Sequence, residues 1–193
     1  MIYVVNLSNF TVIDSIATGK GPEKMVRLNN KVYLANSGGW GLDSTISVID
    51  IHSNEIIETI NVGHVPVDLL LDGDNNLWVQ CKGYAMYSWE PPYDLISETE
   101  AKIVKINTSS NKVIWSTVIG KASDFMFTPI NLSIDFNGRF VYFLMQQGIY
   151  KMDKTAPNFL HNRLLKEIFT ELKQIPQPEI SLLLNPHFQA MDL

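Results

Sequence analysis

The sequence predicts an all-β repeat fold, and three observations carry that prediction. One strand-like phrase recurs as Ile2-Tyr3-Val4-Val5-Asn6, Ile46-Ser47-Val48-Ile49-Asp50 and Ile103-Val104-Lys105-Ile106-Asn107. Each phrase is followed at the same distance by a glycine: Gly19, Gly63 and Gly120. Ile149-Tyr150-Lys151-Met152-Asp153 then begins the phrase a fourth time, and the pattern stops. Self-similarity with a period of roughly 40–50 residues marks a propeller or another repeat array.

The second unit justifies each element. Residues 45–51 are apolar and β-branched, as a strand buried on at least one face should be. His52-Ser53-Asn54 is a polar turn, and residues 55–62 alternate as a second strand. Gly63-His64-Val65-Pro66 breaks the ladder, because Pro lacks the N–H that a central strand needs and Gly admits positive φ. Residues 67–71 form a third strand, 72–76 (Asp-Gly-Asp-Asn-Asn) a tight turn, and 77–81 a fourth strand. The first unit repeats the scheme over residues 3–7, 11–17, the break Gly19-Lys20-Gly21-Pro22, 24–28 and 32–36. The third does so over 102–106, 112–119, 125–135 and 139–145, with Pro129 inside its third strand. Four short antiparallel strands per unit make one propeller blade. The expected architecture is therefore an incomplete β-propeller over residues 1–159. It has about three four-stranded blades in units starting near 2, 46, 103 and 149, the last being only the start of a fourth. A ring closes with roughly 4–8 blades, so the chain is either part of a larger propeller or leaves blade edges open, through which copies can associate.

Composition narrows the function classes. The formal net charge is −5 and no Lys/Arg block occurs, which argues against a nucleic-acid or anionic-membrane surface. Cys81 is the one cysteine, so no internal disulfide or zinc spacing exists. It lies in the apolar run Leu77-Trp78-Val79-Gln80-Cys81 and reads as a buried, inert thiol. No apolar run approaches the roughly 20 residues of a membrane span, and no signal peptide opens this chain.

The stretches Lys31-Val32-Tyr33-Leu34-Ala35-Asn36, Thr45-Ile46-Ser47-Val48-Ile49-Asp50, Ile56-Ile57-Glu58-Thr59-Ile60-Asn61-Val62-Gly63 and Gly19-Lys20-Gly21-Pro22 resemble the repeats of the YVTN-repeat, YncE-like β-propellers. The likeness covers residues 1 to about 155 and loosens in the third unit, where Ala122-Ser123 replaces the Pro of the break. It implies a bacterial propeller exported to the periplasm or cell surface, commonly without enzyme activity. After about Phe159 the pattern changes. Leu164, Leu165, Ile168, Phe169, Leu172 and Ile175 fall at helical spacing, and Pro176, Pro178 and Pro186 follow. Residues 160–193 therefore read as a non-propeller tail, a C-terminal helix followed by a disordered end. The degenerate codons also permit a propeller-like text in the neighbouring frame, so a frameshift is a second reading of the tail.

In an antiparallel blade, alternate connections emerge on one face. That face collects residues 37–44 with Trp40, residues 82–100, Lys20-Gly21, His64 and Ala122-Ser123. The insertion at 83–93 carries Tyr84, Met86, Tyr87, Trp89, Pro91, Pro92 and Tyr93. Aromatic loops on a rigid scaffold suit a ligand or partner site, although the rings could instead pack on each other to order the loop. Trp40, His64, Tyr84, Tyr87, Trp89 and Tyr93 are thus the candidate binding residues. A lone His beside a break also reads as a hydrogen-bonded turn residue. Asp72, Asp74, Asn75 and Asn76 lack the spacing and later Glu of a calcium loop and read as a hairpin turn. Asp50, Asn107 and Asp153 close their strands at one register, which marks a turn role. No nucleophile, metal or cofactor motif occurs. The expected function is binding or scaffolding, without cofactor, toward a protein, glycan or small-molecule ligand. The alternative is a propeller enzyme, a cofactor-dependent oxidoreductase or a lyase, whose active site needs converging His, Asp, Glu or Arg side chains and would lie mostly in further blades.

Overall fold

The computed structural model describes residues 1–125, 131–146 and 148–155, and the backbone of residues 162 and 163. A hairpin of β1 (Ile2–Asn6) and β2 (Thr11–Ile16) comes first. The first four-stranded sheet is β3 (Pro22–Leu28), β4 (Lys31–Asn36), β5 (Thr45–Asp50) and β6 (Glu55–Asn61), in that order. The second begins with β7 (Pro66–Leu71) and β8 (Asn76–Cys81). A small hairpin, β9 (Ala85–Tyr87) and β10 (Leu95–Glu98), interrupts it before β11 (Glu100–Asn107) and β12 (Lys112–Lys121) complete the order β7-β8-β11-β12. A 3₁₀ turn over Ala122–Phe125 leads toward the third sheet: β13 (Leu132–Ile134), β14 (Phe140–Met145), β15 (Gly148–Asp153) and β16 (Asn162–Arg163). Neighbouring strands are antiparallel throughout. The first strands of successive sheets lie together, β3 against β7 and β7 against β13, so the sheets fan out from a common axis. This is an incomplete β-propeller.

The strands and turns fall where the sequence places them, but the sheets are grouped differently. Units starting near 2, 46, 103 and 149 would each form one blade. The sheets instead start at residues 22, 66 and 132, two strands out of phase. The reason lies in the breaks. Residues 19–22 and 63–66 cannot carry a ladder between the strands they join, so they carry the chain from one sheet to the next. The loop at 37–44 keeps β4 and β5 paired along their whole length. Hairpin β1–β2 therefore stands where the outer half of a preceding sheet would. In the third unit, Phe125 belongs to the 3₁₀ turn and not to a strand; of the strand expected over 125–135, β13 is seen, and residues 126–130 lie outside the described residues. The start of the expected tail supplies β16, while the helix and frameshift readings of 164–193 lie outside the described residues.

Alternation of side chains builds a core at each sheet-to-sheet contact. Tyr33, Ala35, Ile46 and Val48 of the first sheet meet Leu77, Val79, Cys81, Val104 and Ile106 of the second. Trp78, Ala101 and Ile103, on the opposite face of the second sheet, meet Val141, Phe143, Met145, Tyr150 and Met152 of the third. Ile2, Val4 and Ile16 of the hairpin cover Leu34 and Ile49. Each fully buried aliphatic or aromatic side chain contributes about 2 kcal/mol. Cys81 lies in this core, and burial pushes its thiol up to about 12, as the inert reading requires.

Polar groups tie the sheets at the axis and at the turns. Buried Asp68 of β7 accepts from the Leu132 N–H of β13 at 2.7 Å and pairs with Lys24 Nζ of β3 at 3.0 Å, joining three inner strands. Asp72 accepts from the Asn76 N–H at 2.8 Å and from Trp78 Nε1 at 2.9 Å, confirming a turn carboxylate. The strand-closing residues cap their turns: Asn6 receives the Ser8 N–H, Asp50 those of His52 and Ser53, Asn107 those of Ser109 and Ser110, and Asp153 that of Thr155. Gln80, fully buried between the second and third sheets, has neither amide atom hydrogen-bonded among the described residues.

Candidate functional site

The loop at 37–44 is pinned to both flanking breaks. Gly21 O accepts from the Ser37 N–H at 2.8 Å and from its hydroxyl at 3.0 Å, and Lys20 O accepts from the Gly38 N–H. Asp43 receives the Lys20 N–H at 2.7 Å, and its carbonyl receives the Val65 N–H. Burial alone would raise the Asp43 carboxyl, but hydrogen bonds from Thr45, Lys20 and Ser44 outweigh it and hold the group below the usual range. The fit is close. Gly21 has φ +56°, and a Cβ there would lie 2.1 Å from the Gly39 nitrogen, so only glycine serves.

The insertion is a hairpin on a tied base. Tyr84 and Thr99 exchange backbone and side-chain bonds: Tyr84 O accepts the Thr99 N–H, and Thr99 Oγ1 accepts the Tyr84 N–H, both at 2.9 Å. His64 Nδ1 lies 3.0 Å from the same hydroxyl, and His64 O accepts the Gly83 N–H. The Ser123 hydroxyl and N–H, with Lys121, hold the Glu98 carboxyl low and fasten β10 to the 3₁₀ turn.

These connections enclose a cleft of about 380 Å³. The 37–44 loop supplies Ser37 and Trp40, the insertion supplies Lys82, Tyr84 and Tyr87, and Val65, Ala122 and Phe125 close it from below. Trp40 is fully exposed on the rim. Of the residues singled out in the sequence, Trp40, Tyr84 and Tyr87 meet here. His64 does not: it lines an adjoining cleft of about 350 Å³ with Glu98, Thr99, Glu100 and Lys102. Trp89 and Tyr93 stand exposed at the tip of the β9–β10 hairpin and line neither cleft, so for these two rings mutual packing does not order the loop. Among the described residues no three His, Cys, Asp or Glu side chains converge to hold a metal, and no helix is long and apolar enough to cross a membrane.

Sequence reasoning missed a cleft of about 240 Å³ on the opposite face, lined by Leu28, Lys31, Tyr33, Asn75 and Thr108. Tyr33 Oη donates to Asn111 Oδ1 at 2.8 Å, and Asn111 Nδ2 donates to Glu58 Oε2 at 2.7 Å, clamping the first sheet to the second. Burial, aided by the Glu58 charge, pushes the Tyr33 hydroxyl up. The only sequence signal was a tyrosine among the aliphatic residues Val32, Leu34 and Ala35 of β4.

No protein-family model matches the chain, and no curated protein matches its sequence. Among solved structures the chain is similar to propeller-type proteins at low identity. One is Kuenenia stuttgartiensis hydrazine synthase (13% identity, 80% of this chain and 60% of that chain, TM-score 0.39). A second is a eukaryotic initiation factor (12%, 86% and 36%, TM-score 0.43), and a third is the dihydro-heme d1 dehydrogenase NirN (11%, 82% and 40%, TM-score 0.37). The chain spans less than two thirds of each, and its architecture is read from its own sheets.

Proposed function

We propose that this chain is a non-enzymatic binding module of the YVTN-repeat type, and that its ligand is a neutral glycan held on the aromatic loop face. The observation that carries this reading is the fully exposed Trp40 at the rim of a cleft that also holds Tyr84 and Tyr87. Exposed indole and phenol faces stack on the C–H faces of a sugar ring, and Ser37 and backbone groups supply hydrogen bonds. Among the described residues Lys82 is the one charged residue in the lining, which suits an uncharged ligand. Trp89 and Tyr93 extend the aromatic surface beyond the cleft for a longer chain of sugars. An extracytoplasmic setting comes from the family resemblance alone, and fractionation of producing cells tests it.

Tryptophan fluorescence titration with chito-, cello- and malto-oligosaccharides tests the ligand class. One series should shift the emission saturably, and Trp40→Ala should weaken binding by about 1–3 kcal/mol with folding unchanged. No response to any series, or equal response in Trp40→Ala, overturns the reading.

A further inference from the structure

We infer that the ligand of the cleft is an N-acetylated sugar, and that Val65 selects it by offering its methyl groups to the methyl of the acetamido group. This rests on the glycan reading above and names the kind of sugar.

Two breaks of the repeat share one backbone. Gly19-Lys20-Gly21-Pro22 and Gly63-His64-Val65-Pro66 align residue for residue. Gly21 O accepts the Ser37 N–H, and Lys20 O accepts that of Gly38. One sheet later, Val65 O accepts the Lys82 N–H, and His64 O accepts that of Gly83. Gly21 and Val65 have φ of 56° and 57°. Glycine adopts that angle freely, whereas a β-branched side chain there crowds its own backbone. Glycine therefore serves the fold at this place, and valine holds it against its own preference. Strained residues of this kind persist where their surroundings fix them, and they gather at ligand sites.

What differs is the space beside the two residues. A Cβ on Gly21 would lie 2.1 Å from the Gly39 nitrogen, so the 37–44 loop fills that space. Beside Val65 lies the cleft. Val65, Ala122 and Phe125 are 7%, 8% and 4% exposed and form an apolar floor below the rings of Trp40, Tyr84 and Tyr87. An unsubstituted hexose carries hydroxyls around its ring, and one pressed onto this floor would lose water without gaining a partner. An acetamido group puts a methyl there instead. Its amide needs one acceptor and one donor, and the lining has both. Ser37 gives its hydroxyl hydrogen to Gly21 O, which leaves the oxygen free to accept the amide N–H. Lys82 is in no ion pair among the described residues, and its ammonium is the donor for the amide carbonyl. A volume of about 380 Å³ lies at the small end of ligand sites, which suits a short run of sugar rings.

Isothermal titration calorimetry on the whole chain compares chito-oligosaccharides with cello- and malto-oligosaccharides of equal length. The chito series should bind about tenfold more tightly or better. Val65→Gly keeps the left-handed backbone and removes the methyls, so it should cut that difference to about threefold or less. Val65→Asn also accepts the left-handed angle and takes its place if the glycine variant fails to fold. Thermal unfolding gives an independent reading. Val65→Gly should lower the melting temperature less than half as far as Val67→Gly, which removes a similarly buried valine from strand β7. Equal losses would make Val65 an ordinary packing residue and overturn the inference, as would a chito preference that survives in the Val65 variants. Cello- or malto-oligosaccharides binding as tightly as the chito series also overturn it, while leaving the glycan reading standing. Binding of no series overturns both.

Discussion

Hairpin β1–β2 and ribbon β11–β12 carry the same phrase, the same asparagine-capped turn and a left-handed residue at the same place, yet one lies open and the other is sealed. Local pattern is enough to make both into two-stranded ribbons. Burial is not a property of the phrase: it is conferred by Tyr33, Ala35 and Val48, which the chain lays over the Val104–Ile106 face of β11, while nothing described lies over the matching Tyr3–Val5 face of β1. The difference separates what a repeat specifies for itself from what its neighbour must supply.

The largest effect should come from placing a charge at the matched position in each ribbon. Val104→Asp buries an unpaired carboxylate and should cost about 4 kcal/mol or more, whereas Tyr3→Asp should change stability by about 0.5 kcal/mol at most. Chemical denaturation measures both, and similar losses would abolish the distinction. The inter-sheet clamps give the next contrast. Tyr33→Phe deletes a buried donor to Asn111 and Thr108 and should cost about 1–2 kcal/mol. Asp14→Ala removes the exposed bond from Asn54 without disturbing that residue's left-handed turn and should cost about 0.5 kcal/mol, so equal losses would mean that the hairpin is as firmly held as a full sheet.

Acid should separate the turns most finely. Asp50 is held low by the Ser53 and His52 N–H groups, and Asp153 is brought to about 2 by the Thr155 hydroxyl and N–H with Arg139. Both carboxyls titrate lower in the folded chain than unfolded. The support they lend is therefore complete above about 4 and is lost as pH falls below it, for Asp153 as pH approaches about 2. Asn6 and Asn107 do not titrate. Protection of the Ser53 and Thr155 amides relative to the intrinsic exchange rate should fall across that range while that of Ser8 and Ser109 stays constant, and parallel changes at all four would refute the assignment.

Much of the site was legible because it depends on local chemistry. The Gly-Pro breaks, the aromatic insertion and the common face of alternate connections all follow from residue type and strand alternation. His64 was separated from Trp40 by a tie that sequence does not encode locally, the Thr99 hydroxyl at the far side of the insertion. The folding of residues 85–98 into its own hairpin, with Trp89 and Tyr93 lifted clear of the cleft, likewise depended on the fastening of its base by Tyr84, Thr99 and Ser123.

The sequence by itself determined the strands, their turns, the capping residues and the fact of repetition, because propensity, alternation and side-chain-to-backbone bonds act within a few residues. Only the tertiary structure decided where each sheet begins. A periodic text has no origin, and four strands can be counted from any of them. The choice was made by long-range pairing of β4 with β5 and of β8 with β11 across their loops, and by packing of one sheet's second strand into the next. The same non-local contacts left Tyr3, Leu7 and Phe10 in the open.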